Sequence, residues 1–138
     1  MASLPLTGGC LCGGVRFEVV AEFESASYCH CTRCQRRTGT AASAQARVPA
    51  GGVRVTHGEE LVCAYAPVDG WPKCFCSVCG SSLWSEDPET GARSVRLGAF
   101  DGDPGIRPQW HQFVAYAADW EPIPDDGLPR FPERRPPA

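Results

Sequence analysis

The stretch Phe75-Cys-Ser-Val-Cys-Gly80 has a counterpart near the start of the chain, Gly8-Gly-Cys-Leu-Cys-Gly-Gly14. Thiolates at C-x-x-C and C-x-C spacing can bind one tetrahedral metal ion from a short turn. The adjacent glycines allow the backbone to turn tightly and bring its N–H groups close to the sulfurs. Four sulfurs close a coordination shell. The two pairs therefore predict a structural zinc that ties the N-terminal strand to the middle of the chain, with the ligands Cys10, Cys12, Cys76 and Cys79.

A third cluster, Cys29-His-Cys31-Thr-Arg-Cys34, supplies only three thiols. An extended C-x-C segment that runs into a helical turn can place these sulfurs around one ion, which predicts a second zinc on Cys29, Cys31 and Cys34. Its fourth position is open to water, a substrate thiol or another residue. The side chain of His30 should point away from its two neighbours. We therefore expect it to contact a ligating residue or the substrate, or to be a plain surface histidine, rather than to bind metal.

Length and composition limit the classes of protein. A chain of 138 residues fits one domain, and its 43% hydrophobic and 21% charged residues are typical of a globular protein. No apolar run is long enough to span a bilayer, and the first residues do not resemble a secretory signal. A formal net charge of −3 argues against nucleic-acid binding. The nine cysteines are odd in number and closely spaced, which favours metal over disulfides and predicts a reducing cytoplasm.

The pattern of apolar residues predicts a mostly β fold. Val15, Phe17 and Val19 alternate with polar residues, as in a half-buried strand. Further strands are predicted around Val53 and Val55 and in four short runs, 61–65, 73–76, 94–97 and 111–115. The one short helix is predicted over Thr32 to Thr38, stopped by Gly39. Residues 1–121 are expected to form the domain, and the Pro-rich tail, 122–138, is expected to lie extended on the surface or to fray.

The three-cysteine cluster is the candidate for chemistry. Zinc lowers the pKa of a bound thiol and would present it as a nucleophile. Arg36 and Arg37 would suit an anionic thiol such as glutathione, although a solvated helix face is an equal alternative, and Arg33 is expected to be solvated. Cys63 and Cys74 are expected to be buried free thiols, and Cys74 shares a strand face with Cys76.

The chain resembles the family of glutathione-dependent formaldehyde-activating enzymes, which also includes centromere protein V. The resemblance is carried by Gly9-Cys-Leu-Cys-Gly-Gly-Val-Arg-Phe17, Cys29-His-Cys-Thr-Arg-Cys-Gln-Arg-Arg-Thr-Gly39 and Phe75-Cys-Ser-Val-Cys-Gly-Ser-Ser-Leu83. Weaker similarities follow at His111-Gln-Phe-Val114, Trp120 and Asp126-Gly-Leu-Pro-Arg-Phe131. The resemblance thus extends over nearly the whole chain.

The resemblance implies a tent-like β fold of two small sheets, with two zinc ions per chain, the second of them labile. It also implies a carbon–sulfur lyase that joins glutathione and formaldehyde to give S-hydroxymethylglutathione. In that interpretation the thiol binds at the second zinc, and His30 or Thr38 acts as a proton or hydrogen-bond partner. Two alternatives remain. The domain could be a non-catalytic, zinc-stabilised binding or scaffold module, or a thiol-redox protein that uses an exposed Cys63 or Cys74.

Overall fold

The computed structural model describes residues 3–137 as ten short strands in two sheets, with one α-helix. In chain order the elements are β1 (Leu6–Gly9), β2 (Arg16–Val19), β3 (Ser25–Cys29), α1 (Thr32–Thr38), β4 (Ser43–Val48), β5 (Val53–His57), β6 (Val62–Tyr65), β7 (Lys73–Cys76), β8 (Ser82–Glu86), β9 (Arg93–Arg96) and β10 (His111–Gln112). Single 3₁₀ turns occur at Glu59–Leu61, Leu97–Ala99 and Val114–Tyr116. The mostly β class predicted from the sequence is confirmed.

The two sheets differ in size. The smaller is antiparallel, with strand order β1-β2-β5. The larger has the order β10-β3-β4-β9-β8-β7-β6, and all its neighbours are antiparallel except β10, which runs parallel to β3. The C-x-C pair at 10 and 12 lies just after the smaller sheet's first strand, and the C-x-x-C pair begins at the end of β7 in the larger sheet. Metal held by both pairs would therefore link the two sheets.

The core lies between the small sheet and one face of the large sheet. The rings of Phe17 on β2 and Trp84 on β8 meet edge to face, with centroids 5.6 Å apart. Val19, Val48 and Val95 are completely buried beside them. Burying an apolar side chain of this size contributes about 1.5–3 kcal/mol. This alternation of core residues turns the intervening side chains of the large sheet to its opposite face.

That opposite face carries polar and cationic side chains in one row. In the strand register, Arg47 on β4 is opposite Ser94 on β9, Ser94 is opposite Ser85 on β8, and Ser85 is opposite Lys73 on β7. Arg96 lies two residues after Ser94 and therefore projects from the same face. One side of the sheet thus builds the core, and the other side forms a surface that can hold charged ligands.

The helix begins and ends where the sequence predicts. Cys31 is its N-cap: its sulfur accepts a hydrogen bond from the backbone N–H of Cys34 at 3.3 Å. Gly39 ends the helix in the left-handed region, with φ of 69°, and its N–H bonds to the carbonyl of Gln35. The helix therefore begins on a cysteine of the second cluster, which fixes the direction in which the chain leaves that cluster.

One predicted strand is wrong in its second half. The strand expected over 111–115 stops at Gln112, because Phe113 has a φ of 58° and a 3₁₀ turn follows. The backbone N–H groups of Val114 and Ala115 bond to carbonyls of the C-terminal segment instead of to a neighbouring strand. The sequence patterns also missed β1, β3, β4 and β8, which are rich in small and polar residues; β3 and β4 do alternate, but largely with alanine at the apolar positions.

The C-terminal segment runs along the domain beside β10. His111 exchanges backbone hydrogen bonds with this segment at 2.9 Å, donating to Pro129 and accepting from Phe131. The N–H of Phe113 donates to the carbonyl of Glu133, whose carboxylate in turn accepts from the Tyr116 hydroxyl at 2.8 Å. These bonds hold residues 129–133 against the strand and lead the chain onward to the polar face of the large sheet.

Candidate functional site

The four-cysteine cluster has the geometry of a tetrahedral metal site. Its ligand atoms all lie within 4.8 Å of one another, with Sγ–Sγ distances of 3.5 Å between Cys10 and Cys12 and 3.9 Å between Cys12 and Cys76. A tetrahedron with Zn–S bonds of about 2.3 Å places its sulfurs about 3.8 Å apart. Backbone N–H groups also point at the sulfurs, from Val15 to Cys10 at 3.2 Å and from Gly14 to Cys12 at 3.4 Å. The residues present therefore fit a zinc ion.

Ser81 joins the two halves of this cluster. Its hydroxyl lies 3.2 Å from the sulfur of Cys79 and accepts a hydrogen bond from the N–H of Leu11 at 2.9 Å. Hydrogen bonds from the side chain and backbone N–H of Ser81, and from the backbone of Cys12, lower the pKa of Cys79 to about 5. A thiol with this pKa is largely ionised at neutral pH and is ready to bind metal.

The three-cysteine cluster forms where β3 gives way to α1. Cys29 is the last residue of β3, Cys31 caps the helix, and Cys34 lies in its first turn. Their sulfurs lie within 4.8 Å of one another, and Cys29 and Cys31 are buried whereas Cys34 is half-buried. Hydrogen bonds with Cys29 and Cys31, together with Ser43 and nearby Arg96, lower the pKa of Cys34. Hydrogen bonds with Cys31 and Cys34, and then burial, raise the pKa of Cys29. A soft divalent metal fits this donor set, with one tetrahedral position to spare.

The three thiols open onto a cavity of about 420 Å³ on the polar face of the large sheet. Six of the side chains that line it are cationic and only one, Glu24, is acidic. The cations are Arg33, Arg47, Lys73, Arg96, Arg134 and Arg135. In a chain whose formal net charge is −3, this concentration of positive charge makes the cavity a site for anions.

The six cations differ in how their charge is balanced. Arg33 pairs with Asp69 at 3.0 Å, and Arg47 pairs with Glu24 at 3.1 Å and with Asp87 at 3.3 Å. Within residues 3–137, the other four cations have no carboxylate within ion-pair distance. Among them, Arg135 lies over the indole ring of Trp110 with its Cζ 4.0 Å from the ring centroid.

His30 is buried beside the cluster rather than exposed, at 5% of its full accessibility. Its Nε2 lies 2.8 Å from Nδ1 of His111, and Nε2 of His111 lies 2.7 Å from a carboxylate oxygen of Asp126. The ring does not line the cavity. Burial and the neighbouring His111 lower the pKa of His30. The structure thus places this candidate in a hydrogen-bonded chain that leads away from the three thiols.

The other sequence-predicted contacts also lie outside the cavity. The hydroxyl of Thr38 donates to the carbonyl of Cys34 at 2.8 Å and lies 2.6 Å from that of Thr40, and it lines a separate depression. Arg36 is exposed, and Arg37 lies over the ring of Phe75 at 5.1 Å. Arg36 and Arg37 follow Cys34 by part of a helical turn, and a full turn carries the chain about 5.4 Å along the helix axis. Both side chains therefore lie further along the helix than the three thiols. Arg33, which was expected to be solvated, is the helix cation that reaches the cavity.

The two remaining cysteines have different environments. Cys74 is buried in the core, where burial raises the pKa of its thiol. Cys63 lies on the edge strand β6 and is exposed, so the expectation that both are buried is wrong for Cys63. All nine cysteines are free. Neither Cys63 nor Cys74 joins either cluster of candidate metal ligands.

Sequence reasoning missed Lys73, Arg47, Arg96, Arg134 and Arg135 as cavity residues. A signal was present for the first, because Lys73 precedes Cys74 and Cys76 in a strand and must face away from them. The two C-terminal arginines could not be assigned, since only the tertiary path of the tail brings them to the large sheet.

Two clusters of cysteine thiols on a pair of β-sheets are typical of small β domains that can bind metal. The comparisons with known proteins identify the family. Residues 5–116 match the family model described as glutathione-dependent formaldehyde-activating enzyme. The chain belongs to this family, as its cysteine motifs indicate. A protein of Halomonas elongata that carries the provisional name glutathione-dependent formaldehyde-activating enzyme is 36% identical over 89 residues. The match covers 60% of this chain and 57% of that relative.

The fold is also similar to a solved structure. The crystal structure of a Rhodobacter sphaeroides protein matches 91% of this chain and 99% of its own, with a TM-score of 0.59. At 22% identity, this similarity supports the fold alone. Across residues 3–137, no helix is long and apolar enough to cross a membrane.

Proposed function

We propose that the protein is a zinc-dependent carbon–sulfur lyase that joins a glutathione-like thiol to formaldehyde or another small aldehyde. The observation that carries the proposal is the opening of three clustered thiols onto a cavity lined with cations. Zinc bound to Cys29, Cys31 and Cys34 would supply a Lewis acid that keeps a substrate thiol ionised at neutral pH. The four-cysteine site would hold a second, structural zinc.

An open coordination position separates a catalytic zinc from a structural one. In the described part of the chain, no fourth His, Cys, Asp or Glu ligand atom joins the three thiols. His30, the nearest candidate in sequence, directs its Nε2 to His111. This arrangement supports catalysis over the alternative of a non-catalytic scaffold domain, which would be expected to complete the site with a protein side chain.

The charge of the cavity favours the thiol over the aldehyde as the recognised substrate. Formaldehyde is small and neutral, whereas glutathione carries two carboxylates that cationic side chains can bind. Six cations around the cavity would attract such a thiol and orient it with its sulfur toward the cysteine cluster. Its sulfur would then attack the aldehyde carbon: a C–S bond forms, the carbonyl π pair moves to oxygen, and the oxygen takes a proton from solvent.

The activity can be tested by following the exchange of formaldehyde into S-hydroxymethylglutathione by NMR. We expect the zinc-loaded protein to accelerate the exchange over the spontaneous reaction, and we expect Cys34→Ser to abolish the acceleration. Cys63→Ser is the matched control, because Cys63 is exposed and belongs to neither cluster. Equal exchange rates with and without the zinc-loaded protein would contradict the proposal.

Free thiols as metal ligands also favour the reducing cytoplasm as the location.

A further inference from the structure

Lys73 and Arg96 share one hydroxyl group at the base of the cavity. Nη2 of Arg96 donates to Oγ of Ser85 at 3.0 Å, and Nζ of Lys73 donates to the same oxygen at 3.3 Å. The register explains this convergence, because Lys73 and Ser85 are opposite each other on neighbouring strands. Two positive charges are thus held close together on rigid strands beside the three-cysteine cluster, and both line the cavity.

The fold leaves this pair without an anion. Arg96 is only 8% exposed, and within residues 3–137 neither side chain has a carboxylate within ion-pair distance. A guanidinium has five N–H donors. Arg96 uses some of these donors in two hydrogen bonds, to Ser85 and to the carbonyl of Ser94 at 3.2 Å. Its buried Nε has no hydrogen-bond partner within the described residues. Buried cations are normally paired, because their desolvation is otherwise uncompensated.

The cysteine cluster balances only part of this charge. Three thiolates around a divalent ion carry a net charge of −1, whereas Lys73 and Arg96 together carry +2. With the fourth position of that site empty, a single carboxylate between Lys73 and Arg96 would bring the group to neutrality, and it would accept charge-assisted hydrogen bonds from both cations. The Lys73 ammonium and the planar guanidinium of Arg96 can each donate to one carboxylate oxygen.

We infer that Lys73, Ser85 and Arg96 form a carboxylate-binding subsite, which selects thiols that bear a carboxylate. The inference rests on the proposed function for the identity of the thiol, but the subsite itself depends only on the charges and contacts of this chain. Arg134 and Arg135 lie at the exposed mouth of the same cavity and are expected to attract the anion rather than to hold it.

The subsite can be tested with S-methylglutathione, whose blocked sulfur cannot bind metal as a thiolate, and with its diethyl ester, which lacks both carboxylates. Binding to the zinc-loaded protein is measured by calorimetry and by the fluorescence of Trp71 and Trp110, which line the cavity. We expect the acid to bind at least about tenfold more tightly than the ester, as for one charge-assisted hydrogen bond. Equal affinities, or no binding of the acid, would overturn the subsite.

Lys73→Met provides the residue-level test, because it keeps the length of the side chain and removes its charge. It is preferable to a substitution of the more deeply buried Arg96, which risks misfolding. We expect Lys73→Met to weaken binding of the acid about tenfold and to leave the affinity for the ester nearly unchanged. Arg107→Met is the control, since Arg107 is exposed and pairs with Asp103 outside the cavity. A Lys73→Met protein that is folded by circular dichroism and keeps the full preference for the acid would overturn the subsite.

The two proposals fail in different ways. If the preference for the acid depends on Lys73 but glutathione and formaldehyde exchange no faster than in buffer, the subsite stands and the lyase function is wrong. If exchange is accelerated but the acid and the ester bind equally, the lyase function stands and the subsite is wrong.

Discussion

Nε2 of His30 and Nδ1 of His111 lie 2.8 Å apart, and this hydrogen bond joins the three-cysteine segment to the strand that carries the C-terminal segment. The Asp126 carboxylate accepts from Nε2 of His111 at 2.7 Å. A neutral His111 that donates through Nε2 must accept through Nδ1, so His30 is the donor in the bond between the rings. The chain Asp126–His111–His30 therefore fixes the orientation of the residue between Cys29 and Cys31.

Replacing His111 with phenylalanine should destabilise the fold. The new ring can still stack on Tyr28, whose ring centroid lies 4.9 Å from that of His111, but the N–H of His30 loses its buried acceptor. An unsatisfied buried donor costs about 1–3 kcal/mol. Chemical denaturation of the zinc-loaded protein measures this loss. His57→Gln, at an exposed histidine on β5, should be nearly neutral, and equal losses for the two variants would contradict the assignment.

Asp126→Ala should also destabilise the protein, in a way that depends on pH. Hydrogen bonds from His111 and from the backbone N–H of Leu128 lower the pKa of Asp126 below its ordinary 3.8. The lowered pKa means that the ionised form stabilises the fold at neutral pH, and that this contribution is lost as pH falls through the folded-state pKa. The stability difference between wild type and variant should therefore shrink as pH falls below about 4. Asp125→Ala, at an exposed neighbouring carboxylate, is the control, and an equal loss of stability at pH 7 in the two variants would contradict the assignment.

Gly58 is a position where a methyl group cannot be accommodated. It adopts φ of 75°, and a Cβ built on it would lie 1.9 Å from the carbonyl oxygen of Gly14, in the turn that follows Cys12. Gly51 has a similar φ of 79°, but a Cβ built on it would have nothing within 4 Å. Comparing the two glycines therefore separates the cost of backbone strain from the cost of the steric clash. We expect Gly51→Ala to cost about 1–2 kcal/mol and Gly58→Ala at least about 3 kcal/mol in denaturation experiments. Similar costs would show that the close approach to Gly14 does not matter.

The two cysteine clusters should respond differently to the loss of one ligand. Cys76 is completely buried and links the two sheets through the four-cysteine site, so Cys76→Ser should remove one metal equivalent and destabilise the fold by about 4 kcal/mol or more. Cys34→Ser should remove the other equivalent while the circular dichroism spectrum is retained. Native mass spectrometry counts the metal in each variant, and Cys63→Ser should keep both ions. Loss of both ions from Cys34→Ser would show that the sites are not independent.

The sequence was most informative where local spacing determines structure. The cysteine spacings predicted both clusters, and Thr32 to Gly39 predicted the helix, because each signal lies within a few residues. The polar face of the large sheet was not predicted, since β3 and β4 alternate their polar residues largely with alanine, which gives a weaker apolar signal than valine or phenylalanine. The cationic side chains that line the cavity were also missed. Lys73 and Arg96 become neighbours only through strand pairing, on either side of Ser85.

The central claim is that the fourth coordination position beside the three thiols accepts a substrate thiol. A titration of cobalt-substituted protein tests this claim most directly. Glutathione titrated into the protein with both sites loaded should increase the thiolate-to-cobalt absorption in a saturable way, because a fourth sulfur enters the coordination shell of the Cys29, Cys31 and Cys34 site. S-methylglutathione should bind without this increase, and Cys34→Ser should not show it with glutathione. Unchanged absorption at saturating glutathione, with two cobalt ions bound per chain, would contradict the claim that this site presents a substrate thiol.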